Sequence, residues 1–314
     1  MIELEDVLAA RDRIAGQVHR TPLMSASALG AMTDVRLHLK AELFQKTGSF
    51  KVRGVLNKLL TMNEAERARG LVSLSAGNHA AALAWGARLV GATATIVMPA
   101  QAVRSKIDAT RGYGGEVVLT EGNLMDTCLE LRDARGLTLV HPFDDPAIIA
   151  GQGTIGLEML EDLPDVDYVL VPVGGGGLIS GISAAIKAKR PAARVIGVEP
   201  TGADIIHRSL AAGRPLTFDG RPTTIADGLA APFAGEHTLA QIQRDVDDVV
   251  LVEDDLILKA LRLILERAKL VAEPAAAAGY AALLAGAVRP PKGSSVICVI
   301  SGGNVDPGVL QRIL

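Results

Sequence analysis

Cysteine is almost missing from this chain. Its 314 residues hold two, Cys128 and Cys298, far apart and each inside an apolar run (MDTCLEL and SVICVIS). That spacing builds neither a disulfide framework nor a cysteine metal site, and both read as small buried hydrophobes. Runs of basic charge are missing as well. The 32 Lys and Arg are interspersed with 35 Asp and Glu for a net charge of -3, so the footprint of a nucleic-acid or anionic-membrane binder is absent. A small anionic ligand needs only a local site and is not excluded. No apolar stretch reaches the ~18 residues without charges or breakers that a membrane span requires. The N-terminal MIELEDVLAARDRI carries acids and has the pattern of an amphipathic helix, not of a signal peptide. The cytoplasm is the expected location. There is no Gly, Ser or Pro linker, no internal repeat and no low-complexity tract, so composition marks no domain border.

What the chain does have is a recurrence of short β-branched runs. LHLK ends at Lys40, and LVSLS, TATIVMP, EVVLT and LTLVHP follow between Leu71 and Pro142. DYVLVPV, RVIGVE, DVVLVED and SSVICVIS lie between Asp167 and Ser301. Segments with apolar residues three and four apart separate them, as in Asn78 to Val90, Asn123 to Arg135 and Leu256 to Leu270. Strands alternating with helices imply βαβ units and mostly parallel sheets. Runs such as YVLVPV and VICVIS are apolar on both faces, as parallel strands between helix layers must be. About nine strands are too many for one nucleotide-binding half, so two sheets are expected. Ligands of such sheets sit beyond the carboxyl ends of the strands.

Four loops at such places stand out. Ser75-Ala76-Gly77-Asn78-His79 follows LVSL and opens a helix, and Gly174 to Gly177 follow VLVPV. Ser301-Gly302-Gly303-Asn304 follows VICVI, and Thr47-Gly48-Ser49-Phe50-Lys51 starts the helix KVRGVLNKLL. Consecutive glycines let successive N–H groups turn toward one centre, and with the helix that follows they make an anion nest suited to a phosphate. A dinucleotide is one possible client, since Glu199 ends the next strand about twenty residues on. The loop reads GGGGLISG, however, which is neither G-x-G-x-x-G nor a P-loop. A non-catalytic phosphate-binding module is a further reading. Lys51 lies beside an aromatic residue at a helix start, where desolvation and the helix dipole lower an amine pKa. That is the setting of an imine-forming lysine, though taken alone a lysine on a helix is usually a solvated surface residue.

In this order the strings SFK, SAGNH, GGGG and SGGN resemble the fold-type-II pyridoxal-phosphate enzymes (tryptophan synthase β-like). Within them the chain resembles the threonine/serine dehydratase and serine racemase branch, and most of all a short, catabolic-type threonine dehydratase. Supporting strings are RTPL from Arg20, HPFDDP from His141, AGQGT from Ala150, IADG from Ile225, and Glu273-Pro274. The resemblance covers nearly the whole chain.

It implies two open twisted-sheet α/β domains with pyridoxal 5'-phosphate in the cleft. Residues 1–66 and 147–314 would form the large cofactor-binding domain, 67–146 a small mobile one, and no C-terminal regulatory domain would follow. Lys51 would be the Schiff-base lysine and the base at Cα. Phe50 would pack near the ring, Asn78 would bond its 3'-oxygen, Gly174, Gly175, Gly176 and Gly177 would hold the phosphate, and Ser301 would face the pyridine nitrogen. Ser75, Ala76, Gly77, Asn78 and His79 would grip the substrate carboxylate, with His79 structural or positioning and not an acid or base.

The implied reaction is elimination from a β-hydroxy amino acid, L-threonine and/or L-serine, to a 2-oxo acid and ammonia. Alternatives are a racemase, or a dehydratase for hydroxyaspartate or a phenylserine. Racemisation needs an acid/base on each face of Cα. Racemases of the branch resemble SSGNH, and alanine at position 76 can neither give nor take a proton, so the dehydratase is favoured. The branch's cation site would use Glu199 and the carbonyl of Ala203, but its third position falls on Ile205, with Asp204 next to it. No metal is expected. A homodimer or higher homo-oligomer is.

Overall fold

The computed structural model describes residues 1–75 and 77–314. Among the described residues, ten strands form two sheets. They are β1 (Leu23–Ser25), β2 (Arg36–Ala41), β3 (Leu71–Leu74), β4 (Ala94–Pro99) and β5 (Glu116–Thr120), followed by β6 (Thr138–Leu139), β7 (Tyr168–Pro172), β8 (Arg194–Pro200), β9 (Asp248–Val252) and β10 (Ser295–Ile300). The larger sheet runs β1-β2-β10-β7-β8-β9 and the smaller β5-β4-β3-β6. All pairs are parallel except β1 with β2. The expected mixture of two parallel-rich sheets is what forms. The additional strand is β1, three residues long and antiparallel at the edge, too short for any period to announce it.

The uniformly apolar runs take the central places. Every residue of β10 is buried, between β2 and β7. The helix Pro274–Leu284 (PAAAAGYAALL) buries nearly all of its length. Its small side chains let it lie close on the sheet, and Gly279 meets the Leu170 carbonyl of β7. Both cysteines are sealed: Cys298 within β10 and Cys128 under the smaller sheet are fully buried. Desolvation pushes the Cys128 thiol up to about 11 and that of Cys298 higher still.

Three helices set the geometry of the cleft. Lys51–Thr61 begins at Lys51, Gly177–Lys189 follows the glycine run, and Pro146–Asp162 lies between them. They touch backbone to backbone. A Cβ at Gly151 would come within 2.6 Å of the Arg53 carbonyl, and one at Gly153 within 2.8 Å of the Gly181 carbonyl. Glycine is used here for close approach, and it locks the two helices that open at the cleft to one common strut. The helix Lys51–Thr61 also gives Val52, Val55 and Leu59 to the core of the smaller sheet, with Leu83, Ala87, Ile96 and Met98. It therefore packs on the smaller sheet on one side and on the helix Pro146–Asp162 on the other.

Beneath this helix lies a buried charge network. The Arg53 guanidinium bonds Glu42 at 2.8 and 2.9 Å and Glu158 at 2.7 and 2.9 Å. Lys40 Nζ donates to Glu158 at 2.5 Å and to the Thr21 carbonyl at 2.7 Å. Lys40, Glu42 and Arg53 have no solvent exposure. Two cations and two anions balance, and the fork of the arginine satisfies both carboxylates. The network ties β2 and the chain after it to the helices Lys51–Thr61 and Pro146–Asp162. No described helix is long and apolar enough to cross a membrane.

Candidate active site

The loops singled out in the sequence converge at the carboxyl ends of the strands. The Ser301 carbonyl accepts the Phe50 N–H at 3.1 Å, Gly303 N donates to the Gly48 carbonyl at 2.9 Å, and Ser49 pairs with Gly302 as an isolated bridge. Lys51 and Ser301 are thereby held on adjoining strips of backbone. Phe50 caps the helix that Lys51 opens, and its ring centroid is 5.2 Å from Lys51 Nζ. The Ser301 residue is buried at 3% exposure, and its hydroxyl has no side-chain hydrogen bond among the described residues.

Lys51 is half-buried, and its Nζ donates to the Pro142 carbonyl at 2.9 Å. Desolvation lowers its pKa to about 8, against a small opposing pull from the Glu273 carboxyl. The amine is thus a usable nucleophile near neutrality. About one lysine in ten is free base at pH 7 if its pKa is about 8. The rate of cofactor capture by the stripped protein should therefore rise about tenfold per unit below pH 8 and level off above it. A rate that keeps climbing to pH 10 would mean an ordinary, solvated lysine.

The segment that receives Lys51 also roofs the glycine run. Phe143, next to Pro142, packs on Gly175 and Gly177 so closely that a Cβ at Gly175 would come within 2.4 Å of its ring atoms. Gly174 lies against the backbone of Leu229. Gly176 has φ +87 and immediately precedes the helix Gly177–Lys189. None of the N–H groups of Gly174, Gly175, Gly176 or Gly177 meets an acceptor among the described residues. Four unengaged donors at a helix start, on residues with no side chains of their own, fit a phosphate. His141 begins this roof. Its Nδ1 accepts the Asp144 N–H at 2.8 Å, which leaves the proton on Nε2. Desolvation holds its pKa down to about 4, so the ring stays neutral.

The substrate-loop residues are placed less uniformly. Ser75 Oγ accepts the Gly77 N–H at 3.1 Å, and Ser75, Gly77 and Asn78 are half-buried. Ala76 lies outside the described residues. His79 is 2% exposed and turns its Nε2 to Ser73 Oγ at 3.0 Å. Ser73 spends its own proton on the Val140 carbonyl at 2.6 Å, so His79 donates from Nε2. Burial, reinforced by Lys51 and His141, keeps His79 neutral. Asn78 is engaged on both sides of its amide: Nδ2 donates to Glu273 Oε1 at 2.8 Å and Oδ1 accepts from Asn304 Nδ2 at 2.7 Å.

Pro142, Phe143, Glu273 and Asn304 belong to strings visible in the sequence, yet nothing in the sequence alone assigned them to the site. Their parts are played by backbone carbonyls, packing and second-partner bonds, which carry no residue-type signal. Glu199 accepts the N–H groups of Ile206 and His207 at 2.9 and 2.8 Å, capping the helix Ile205–Ala212.

The sequence pattern of the family described as pyridoxal-phosphate dependent enzyme matches residues 14–302. The chain is 48% identical over 318 residues to the L-threonine ammonia-lyase of Thermotoga maritima, covering 100% of this chain and 78% of that protein. It is 40% identical over 316 residues to the catabolic L-threonine dehydratase of Escherichia coli, covering 99% and 96%. Among solved structures, maize serine racemase superposes with a TM-score of 0.93 at 38% identity, over 99% of this chain and 96% of that one.

Proposed function

Because the chain belongs to the pyridoxal-phosphate dependent enzymes, we propose that it eliminates water from a β-hydroxy amino acid, L-threonine and/or L-serine, and that hydrolysis of the product takes the water back and releases ammonia, to give the 2-oxo acid. The observation that carries this reading is the pairing of Lys51, desolvated and held on the Pro142 carbonyl, with a neighbouring glycine run whose N–H groups are unengaged. Relatives named L-threonine ammonia-lyase and L-threonine dehydratase favour threonine.

When bound, pyridoxal phosphate supplies an electron sink for the carbanion at Cα. Lys51 holds the cofactor covalently at rest. Its Nζ, whose pKa burial lowers to about 8, would take the Cα proton. The N–H groups of Gly174, Gly175, Gly176 and Gly177 hold the phosphate, and Phe50 packs beside the ring. Asn78 donates to the ring's 3'-oxygen. Ser301 meets the pyridine nitrogen with a hydroxyl, which does not force protonation there as an aspartate would. With a hydroxyl at that position the cofactor would supply a milder sink, suited to loss of a β-hydroxyl. The backbone of Ser75 to His79 takes the substrate carboxylate at a helix start.

Residues 67–146 are proposed to move as the smaller unit against 1–66 and 147–314. All four strands of the smaller sheet fall between Leu71 and Leu139, and Lys106 pairs with Asp227 across the cleft. Closure would bring the carboxylate loop onto the substrate and exclude water. A cytoplasmic homodimer or higher homo-oligomer completes the proposal, and size-exclusion with light scattering reads the assembly state.

The decisive assay follows 2-oxo acid release and D-isomer formation from L-threonine and L-serine in parallel. Borohydride should bleach the visible band and fix the label on Lys51. A colourless protein that binds nicotinamide would overturn the proposal. Racemisation without dehydration would favour the second reading, a racemase, which the likeness to serine racemase supports. Ala76→Ser should raise D-isomer formation by supplying a hydroxyl for the opposite face. No change would mean that something else serves that face.

A further inference from the structure

The amide of Asn78 could stand either way round, and only one way offers a donor to the cofactor. The structure contains a chain of hydrogen bonds that settles which. It starts at a group that cannot reverse, the Thr47 carbonyl, a pure acceptor. Asn304 Nδ2 donates to it at 2.8 Å and, with its second hydrogen, to Asn78 Oδ1 at 2.7 Å. Turning Asn304 over would set its Oδ1 against the Thr47 carbonyl. Asn304 is also confined from the side, since a Cβ at Gly48 would come within 2.5 Å of its Oδ1.

With Oδ1 of Asn78 taken by Asn304, its Nδ2 faces Glu273, whose Oε1 accepts at 2.8 Å. The reversed amide would oppose two amide nitrogens at Asn304 at any pH, and two oxygens at Glu273 above the pH of about 7 to which burial raises that carboxyl. Glu273 is 5% exposed and makes no salt bridge among the described residues. Nδ2 of Asn78 carries two hydrogens. One is spent on Glu273, and one is left.

We infer that Glu273 and Asn304 are positioning residues that lock the Asn78 carboxamide so that its remaining N–H serves the cofactor's ring oxygen. This rests on the reading above that Asn78 faces that oxygen. Neither residue needs to touch the cofactor. Their joint effect is to spare the site the cost of an amide presenting its oxygen to an oxygen, which for a desolvated pair is a lost hydrogen bond plus a repulsion. The two locks differ in kind. The Glu273 bond is partly buried and the Asn304 bond exposed, so Glu273 should have the larger effect.

The test is a double-mutant cycle read by cofactor affinity. The stripped full-length protein is titrated with pyridoxal 5'-phosphate and followed at its visible band, for wild type, Glu273→Gln, Asn304→Ala, Asn78→Ala and the two pairs with Asn78→Ala. Glu273→Gln removes the charge while keeping the shape, so it lets the amide turn without opening a cavity. The expected result is an affinity loss of about tenfold for Glu273→Gln, several-fold for Asn304→Ala and at least tenfold for Asn78→Ala. In the Asn78→Ala background, each further substitution should cost less than about twofold, because the group they position is gone. Full additivity would overturn the inference while leaving the proposed function intact. No loss for Asn78→Ala would remove the contact with the ring oxygen and this inference with it. A wild-type protein that takes up no cofactor would sink the proposed function first. Thermal midpoints recorded alongside separate positioning from folding: a drop in stability without coupling through Asn78 is the signature of a merely structural role.

Discussion

Lys51→Ala should lower dehydration of L-threonine by about 10⁴-fold or more, since in the proposed mechanism it removes the covalent anchor and the base at Cα together. The protein should still fold. Among the described residues, Lys51 Nζ makes one hydrogen bond, to a backbone carbonyl, and its removal relieves a desolvation cost. The variant should also still bind the cofactor through the glycine run, with weaker affinity and without the band that borohydride fixes. A small primary amine added to the variant should restore part of the rate, as it can stand in for the missing base. Turnover within tenfold of wild type would mean that another group takes the Cα proton, and the assignment of Lys51 would fall.

Arg53→Met should cost about 3–5 kcal/mol of stability, because removing one partner leaves buried carboxylates uncompensated. Glu42 is fully buried and would retain only the Thr21 hydroxyl. Glu158 would keep Lys40. The guanidinium is held firmly in its charged form by both carboxylates, against the desolvation that opposes it. The measurement is a urea midpoint, at unchanged m-value. Adding Glu42→Leu to Arg53→Met should recover a large part of the loss, since an apolar pair can replace a buried ionic one at little net cost. If Arg53→Met alone is neutral, the network contributes geometry and not stability. Loss of activity should accompany the loss of stability, because Arg53 stands two residues from Lys51 on the same helix.

How much of this was legible beforehand follows from what each feature depends on. Two parallel-rich sheets were readable from runs such as VICVIS, because burial on both faces leaves a mark on every residue. Strand β1 was not, since three edge residues carry no period. Lys51, the glycine run and Ser301 could be proposed because residue type itself is the signal at these places: an amine, missing side chains, a hydroxyl. Glu273 and Asn304 could not be given roles. Each acts through its partner's orientation, and orientation appears only when loops distant in sequence are brought together. The Pro142 carbonyl is a stronger case, because any residue would present the same oxygen there. The pairing of three helices through Gly151, Gly153 and Gly181 was likewise invisible, although the glycines were in plain view.

The sealed thiols of β10 and the smaller sheet make this protein a convenient platform for watching its own motion. Cys128 and Cys298 are out of reach of solvent, and burial keeps both thiols protonated. A thiol-directed fluorophore should therefore ignore the natural chain. Val103→Cys, at a position 45% exposed just before the helix Arg104–Gly112 that bears Lys106, would accept one dye at one known address. Change in its emission on adding L-threonine would report the proposed movement of the smaller sheet, and no change would count against it, with no need to strip the protein of cysteine first.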